Sequence, residues 1–91
     1  MDRYHLKIEG RVQFVGFRYL ALNAASRLAL TGWVRNCYDE DSVEIEIQGK
    51  KESIDEFIKA LHKGNGFSRI DNIISDKINC RLLEKSFKVV Y

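Results

Sequence analysis

No stretch of this 91-residue chain approaches the roughly 20 consecutive apolar residues that a membrane-crossing helix requires. No membrane-spanning helix is expected within these residues. The charged N-terminus MDRYHLKIEG also lacks the apolar segment of a secretion signal, so a cytoplasmic location is expected. Cysteine is scarce: Cys37 and Cys80 stand alone, without a CxxC spacing, and signal neither a zinc site nor a redox pair. Both are read as free thiols, although the sequence leaves a pairing between them open. The only histidines, His5 and His62, fall too far apart in the pattern to form a ligand pair, and no metal site is expected. A net charge of +2 is too small for a surface built to hold nucleic acid. Neither GxxxxGK[ST] nor GxGxxG occurs, which leaves nucleotide binding without support. Repeats, low-complexity tracts and linkers are missing as well, and the length suits one domain spanning residues 1–91.

What is present is one alternating series of short elements. From Tyr4 to Val12, the side chains of Tyr4, Leu6, Ile8 and Val12 share one face and those of His5, Lys7, Glu9 and Arg11 the other, the period of a half-buried strand. Phe17, Leu20, Ala21, Ala24 and Leu28 then form an apolar helical stripe, which predicts a helix over about 17–30 that ends near Gly32. The segment TGWVRNCYDEDSVEIEIQG reads as a hairpin, with Val43, Ile45 and Ile47 alternating against Glu44, Glu46 and Gln48. Glu44 and Glu46 are explained by an exposed sheet face rather than by paired catalytic carboxylates. Trp33 is expected to pack on the sheet, with a place beside a site left open.

Ser53 and Glu56 have the spacing of a capping box, which predicts a helix start at Ser53; Ile54, Phe57, Ile58 and Leu61 form its buried stripe and Gly64 its terminator. Two further strands are expected over about Ile70–Ile78 and Ser86–Tyr91. The order βαββαβ, with the last piece divisible in two, predicts an α+β fold: a ferredoxin-like two-layer sandwich of one antiparallel sheet with both helices on one face. That architecture hosts many functions and does not select one.

The stretch GRVQFVGFR, residues 10–18, leaves a strand and enters a helix. Backbone N–H groups at such a junction point with the positive end of the helix dipole toward a common spot that suits an anion. Gly16 permits a sharp bend, and Arg18 offers a planar fork of donors matched to two phosphate oxygens. A cation in the first helical turn is disfavoured by the dipole unless an anion lies between them. On the residues alone, a turn glycine followed by a solvated arginine explains the stretch too.

GRVQFVGFR together with GWVRN and the terminal FKVVY resembles the acylphosphatase family, with an element order that matches along essentially the whole chain. The resemblance implies hydrolysis of the carboxyl–phosphate bond of small acylphosphates to a carboxylate and inorganic phosphate, by a monomeric domain that needs no metal or organic cofactor and no nucleic acid or membrane partner. It implies that the loop amides of Gln13, Phe14, Val15, Gly16, Phe17 and Arg18 cradle the phosphate, that the Arg18 side chain binds it, and that Asn36 positions the attacking water. A neutral amide suits that last task because it both donates and accepts, whereas an aspartate would repel the phosphate. The sequence also departs from the family pattern. Phe14 stands where the family usually has glycine, so a positive φ there would be strained. The turn CYDEDS is one residue longer than usual and lacks its glycine, and GFSRI lacks a proline after the second helix. A non-catalytic phosphate- or anion-binding module on the same fold is the alternative, whereas an RNA-binding module is disfavoured by the acids and aliphatics of VEIEIQG.

Overall fold

The computed structural model describes residues 1–38 and 40–91. Its elements run β1 (Asp2–Arg11), α1 (Phe17–Arg27), β2 (Thr31–Asn36), β3 (Ser42–Gly49), α2 (Lys51–Lys63), β4 (Arg69–Ile78) and β5 (Phe87–Val89). One five-stranded sheet forms in the order β4-β1-β3-β2-β5. Leu6 and Ile8 of β1, Val34 of β2, and Val43, Ile45 and Ile47 of β3 are buried in one cluster with Phe17, Ala21, Ala24 and Ala25 of α1 and Ile54, Phe57 and Leu61 of α2. The period-two faces of the strands thus meet the helical stripes in a ferredoxin-like sandwich, as expected.

Four strands pair antiparallel, as anticipated, but β5 lies parallel to β2 and makes the sheet mixed. The chain leaves β4 at one edge and reaches β2 at the other, so β5 arrives running in the same direction as its neighbour. Two helix boundaries also move. Helix α1 stops at Arg27, where Ala29 takes a positive φ of 55° and the Leu30 N–H donates to the Ala25 carbonyl at 2.9 Å, reversing the chain into β2. Helix α2 begins at Lys51 rather than at Ser53, with extended Lys50 as its N-cap and no side-chain cap. The capping box is overruled because β3 stays paired with β1 up to Gly49, and the helix starts directly after the chain leaves the sheet.

The face of the sheet away from the helices is not simply exposed. Arg3 is 0% exposed, beneath the segment that joins β4 to β5. Its Nε donates to Glu46 Oε1 at 2.8 Å, and its Nη1 donates to Glu84 Oε1 at 2.7 Å and to Gln48 Oε1 at 3.1 Å. Gln48 in turn donates to the Arg81 carbonyl at 2.9 Å and accepts from the Arg81 N–H at 2.7 Å. Burial pushes the Glu84 carboxyl upward, but hydrogen bonding to Arg3 and its positive charge prevail and hold it below its ordinary range. This network fastens the crossing segment and so fixes where β5 and the C-terminus lie. Glu44 is likewise paired, accepting from Arg35 Nε at 2.8 Å. Trp33 lies on this same face, with the Arg35 guanidinium 5.2 Å from its ring centroid. Cys37 and Cys80 are both free.

Candidate active site

Residues 12–16 link β1 to α1 at one end of the sheet. Two left-handed residues shape this link: Gly16, at φ 79°, which caps the helix, and Phe14, at φ 60°. For phenylalanine that conformation costs roughly 1–2 kcal/mol. The positive φ that would strain a phenylalanine is therefore found here, and the loop keeps it despite a side chain that opposes it. Phe17 holds the far end of the loop, its ring buried in the core.

Long-range polar contacts grip the loop from both sides. Asp41 Oδ1 accepts from the N–H groups of Val12 at 3.1 Å and Gln13 at 2.9 Å. The Gln13 side-chain amide points among the carbonyls of Cys37, Glu40 and Ser42. From the other side, Asn65 Nδ2 donates to the Val15 carbonyl at 2.7 Å, while its Oδ1 accepts from the N–H groups of Phe67 and Ser68 at 3.0 and 3.1 Å. The Gln13 N–H, expected in the phosphate cradle, is thus committed to Asp41, and Gln13 instead ties the loop to the β2–β3 turn. Among the described residues, no side chain accepts from the N–H groups of Phe14, Val15, Gly16, Phe17 or Arg18, unlike those of Val12 and Gln13. The longer spacing expected of the 37–42 turn depends on residue 39, which lies outside the described residues.

Arg18 sits in the first turn of α1, where no acidic residue accompanies it. Among the described residues it forms no ion pair; its guanidinium carbon lies 5.2 Å from the centroid of the Tyr91 ring. Asn36 closes β2, and among the described residues its Oδ1 is buried without a hydrogen-bond partner. Both side chains line one cavity of about 410 Å³ together with Gln13, Phe14, Tyr38 and Tyr91. A guanidinium without an ion pair and a buried acceptor without a donor therefore share one space, whose lining reaches the loop at Gln13 and Phe14. Leaving the buried acceptor unmatched costs about 1–3 kcal/mol in a folded protein. A tetrahedral oxyanion would satisfy the donors, and a water molecule would satisfy the acceptor.

The family profile for acylphosphatase matches residues 4–89, nearly the whole chain. The chain belongs to the acylphosphatase family. An acylphosphatase of Clostridium acetobutylicum is 45% identical over 91 residues, covering 100% of this chain and 99% of that one. An acylphosphatase of Geobacillus kaustophilus is 37% identical over 91 residues, covering 100% and 96%. The crystal structure of acylphosphatase from Bacillus subtilis superposes with a TM-score of 0.92 at 34% identity and full coverage of both chains.

Sequence reasoning brought Arg18, Asn36 and the loop to one site but missed Asp41, Asn65 and Tyr91. Each lies far along the chain from the loop it serves, with sequence separations of 28 to 29 residues for the Asp41 bonds and 50 for the Asn65 bond. Asp41 and Asn65 sit in polar turn segments where Asp and Asn are expected for local reasons. Nothing in the linear pattern distinguishes a turn residue that serves its own backbone from one that holds a distant loop.

Proposed function

We propose that the chain hydrolyses the carboxyl–phosphate bond of small acylphosphates, with the phosphate held by the amides of Phe14 to Arg18 and by the Arg18 guanidinium. The observation that carries this reading is the shared cavity, with Arg18 lacking a carboxylate and Asn36 Oδ1 lacking a donor among the described residues. Asn36 accepts a hydrogen bond from water and so turns a lone pair of that water toward phosphorus. The water oxygen forms the new bond to phosphorus, and the bond from phosphorus to the acyl oxygen breaks. Its electron pair leaves with the carboxylate, and both protons of the water end on the phosphate, which departs as dihydrogen phosphate and gives up one proton to solvent at neutral pH.

The leaving carboxylate has a conjugate acid of pKa about 4, so it departs at neutral pH without a general acid. The remaining work is to orient the water and to stabilise charge on the equatorial oxygens, which amides and a guanidinium perform. In this reading residues 1–91 act as one monomeric cytoplasmic domain, with a small acylphosphate as substrate, inorganic phosphate as product, and neither metal, organic cofactor, nucleic acid nor membrane involved. The test is phosphate release from benzoyl phosphate or acetyl phosphate by purified protein in excess chelator. Release well above the buffer rate is expected. Binding of inorganic phosphate at the loop without any acceleration would instead identify a non-catalytic anion-binding module.

A further inference from the structure

Phe14 breaks two folding rules at once. It holds a left-handed backbone that glycine would adopt without strain, and its side chain is 91% exposed, so the ring adds nothing to the core. Tyr38, just beyond Asn36, is 93% exposed. Neither ring is explained by packing, yet both line the cavity that holds Arg18 and Asn36. Exposed apolar side chains scattered singly need no explanation, but two that converge on one concave site mark a contact surface. Local rules broken without a gain in folding point to function.

We infer that Phe14 and Tyr38 form the subsite for the acyl group, and that the preferred substrates carry an aromatic or similarly flat apolar acyl group rather than a small aliphatic one. This inference rests on the hydrolase reading of the cavity and concerns its other half. The cradle and Arg18 recognise only the phosphoryl end, which is the same in every acylphosphate, so discrimination among substrates must come from what touches the acyl group. Rings offer a flat acyl group offset or edge-to-face contact, whereas a methyl group gains little from either. The reaction itself is unchanged: the bond from phosphorus to the acyl oxygen breaks, and the aromatic carboxylate leaves with the electron pair.

The test compares kcat/KM for benzoyl phosphate and acetyl phosphate in the unmodified chain and in Phe14→Asn, Phe14→Tyr and Tyr38→Ser. Asparagine tolerates the left-handed backbone, so Phe14→Asn removes the ring while sparing the loop conformation. The benzoyl-to-acetyl ratio is expected to fall about fivefold to tenfold in Phe14→Asn and Tyr38→Ser, and to stay near the original value in Phe14→Tyr. Comparing the ratio between each variant and the unmodified chain cancels any uniform change in the phosphate cradle and the intrinsic difference in reactivity between the two substrates. Circular dichroism confirms that each variant is folded, and the two independent positions keep the test valid if one variant fails to fold. An unchanged ratio in Phe14→Asn and Tyr38→Ser, with both substrates still hydrolysed, overturns the subsite and leaves the hydrolase reading standing. No turnover of either substrate by the unmodified chain overturns the hydrolase reading, and the subsite with it.

Discussion

Arg3 and Arg18 place the same guanidinium in opposite circumstances. Arg3 is sealed under the segment between β4 and β5, with two carboxylates and a side-chain amide around it. Arg18 stands at the mouth of a helix with an aromatic ring beside it and no ion pair among the described residues. A buried cation whose donors are all matched is structural: removing it strands the partners it neutralised. A cation left without a counter-charge where a helix dipole already opposes it gains nothing for the fold, and such a site is stabilised when an anion arrives. The saturation of its hydrogen bonds, more than residue type, separates an arginine that fastens the sheet from one that lines the cavity.

The contrast is broken most directly by exchanging what each arginine loses. For Arg18→Ala, kcat/KM for benzoyl phosphate is expected to fall by roughly 10³ or more, because the amides alone must then stabilise the phosphoryl oxygens. The melting temperature should barely move, since the side chain satisfies no buried partner; a large drop in thermal stability with activity retained would reverse the two roles. Arg3→Met leaves Glu46 and Glu84 without their cation, and a loss of about 3 kcal/mol is expected in urea unfolding. Activity measured at low temperature, where that variant is still folded, should remain within a few-fold of the unmodified chain.

Asn36→Ala sharpens the same comparison inside the site. It should lower kcat by roughly 10², while inorganic phosphate competes with unchanged affinity, because the side chain is assigned to water and not to phosphate. Equal losses in both would contradict that division. The smallest effect is expected with acid. Glu84 has a folded pKa below its unfolded value, so the stability it contributes is fully present above an unfolded pKa of about 4.3 and is lost as the pH falls through the lower folded value. Urea midpoints followed down from pH 5 should therefore decline more steeply for the unmodified chain than for Arg3→Met, in which the pairing is already gone.

Much of the fold was legible because it depends on near neighbours. Tyr4, Leu6 and Ile8 alternate with His5 and Lys7 whatever they pair with, and Ile54, Phe57 and Leu61 mark a helix face before anything covers it. The glycine and arginine at the helix entrance were legible for the same reason, as was the strain expected at Phe14, which the backbone now carries at φ 60°. What misled was local too. Ser53 and Glu56 have the spacing of a cap, but β3 remains paired up to Gly49 and the helix starts at Lys51, so strand pairing outweighed a side-chain hydrogen bond. A cap is worth only about 1 kcal/mol, less than the pairing and packing that place the helix.

The amino-acid order by itself determined which segments could be strands or helices and placed a glycine, an arginine and an asparagine at the ends of those segments, because periodicity and turn chemistry act over a few residues. Only the tertiary structure decided that β5 runs parallel beside β2, that Asp41 takes the Gln13 amide, that Asn65 holds Val15, and that Arg3 is neutralised while Arg18 is not. Those outcomes depend on which distant segments share an edge. A side chain has no charge balance or saturated hydrogen bonds of its own until the fold has chosen its neighbours.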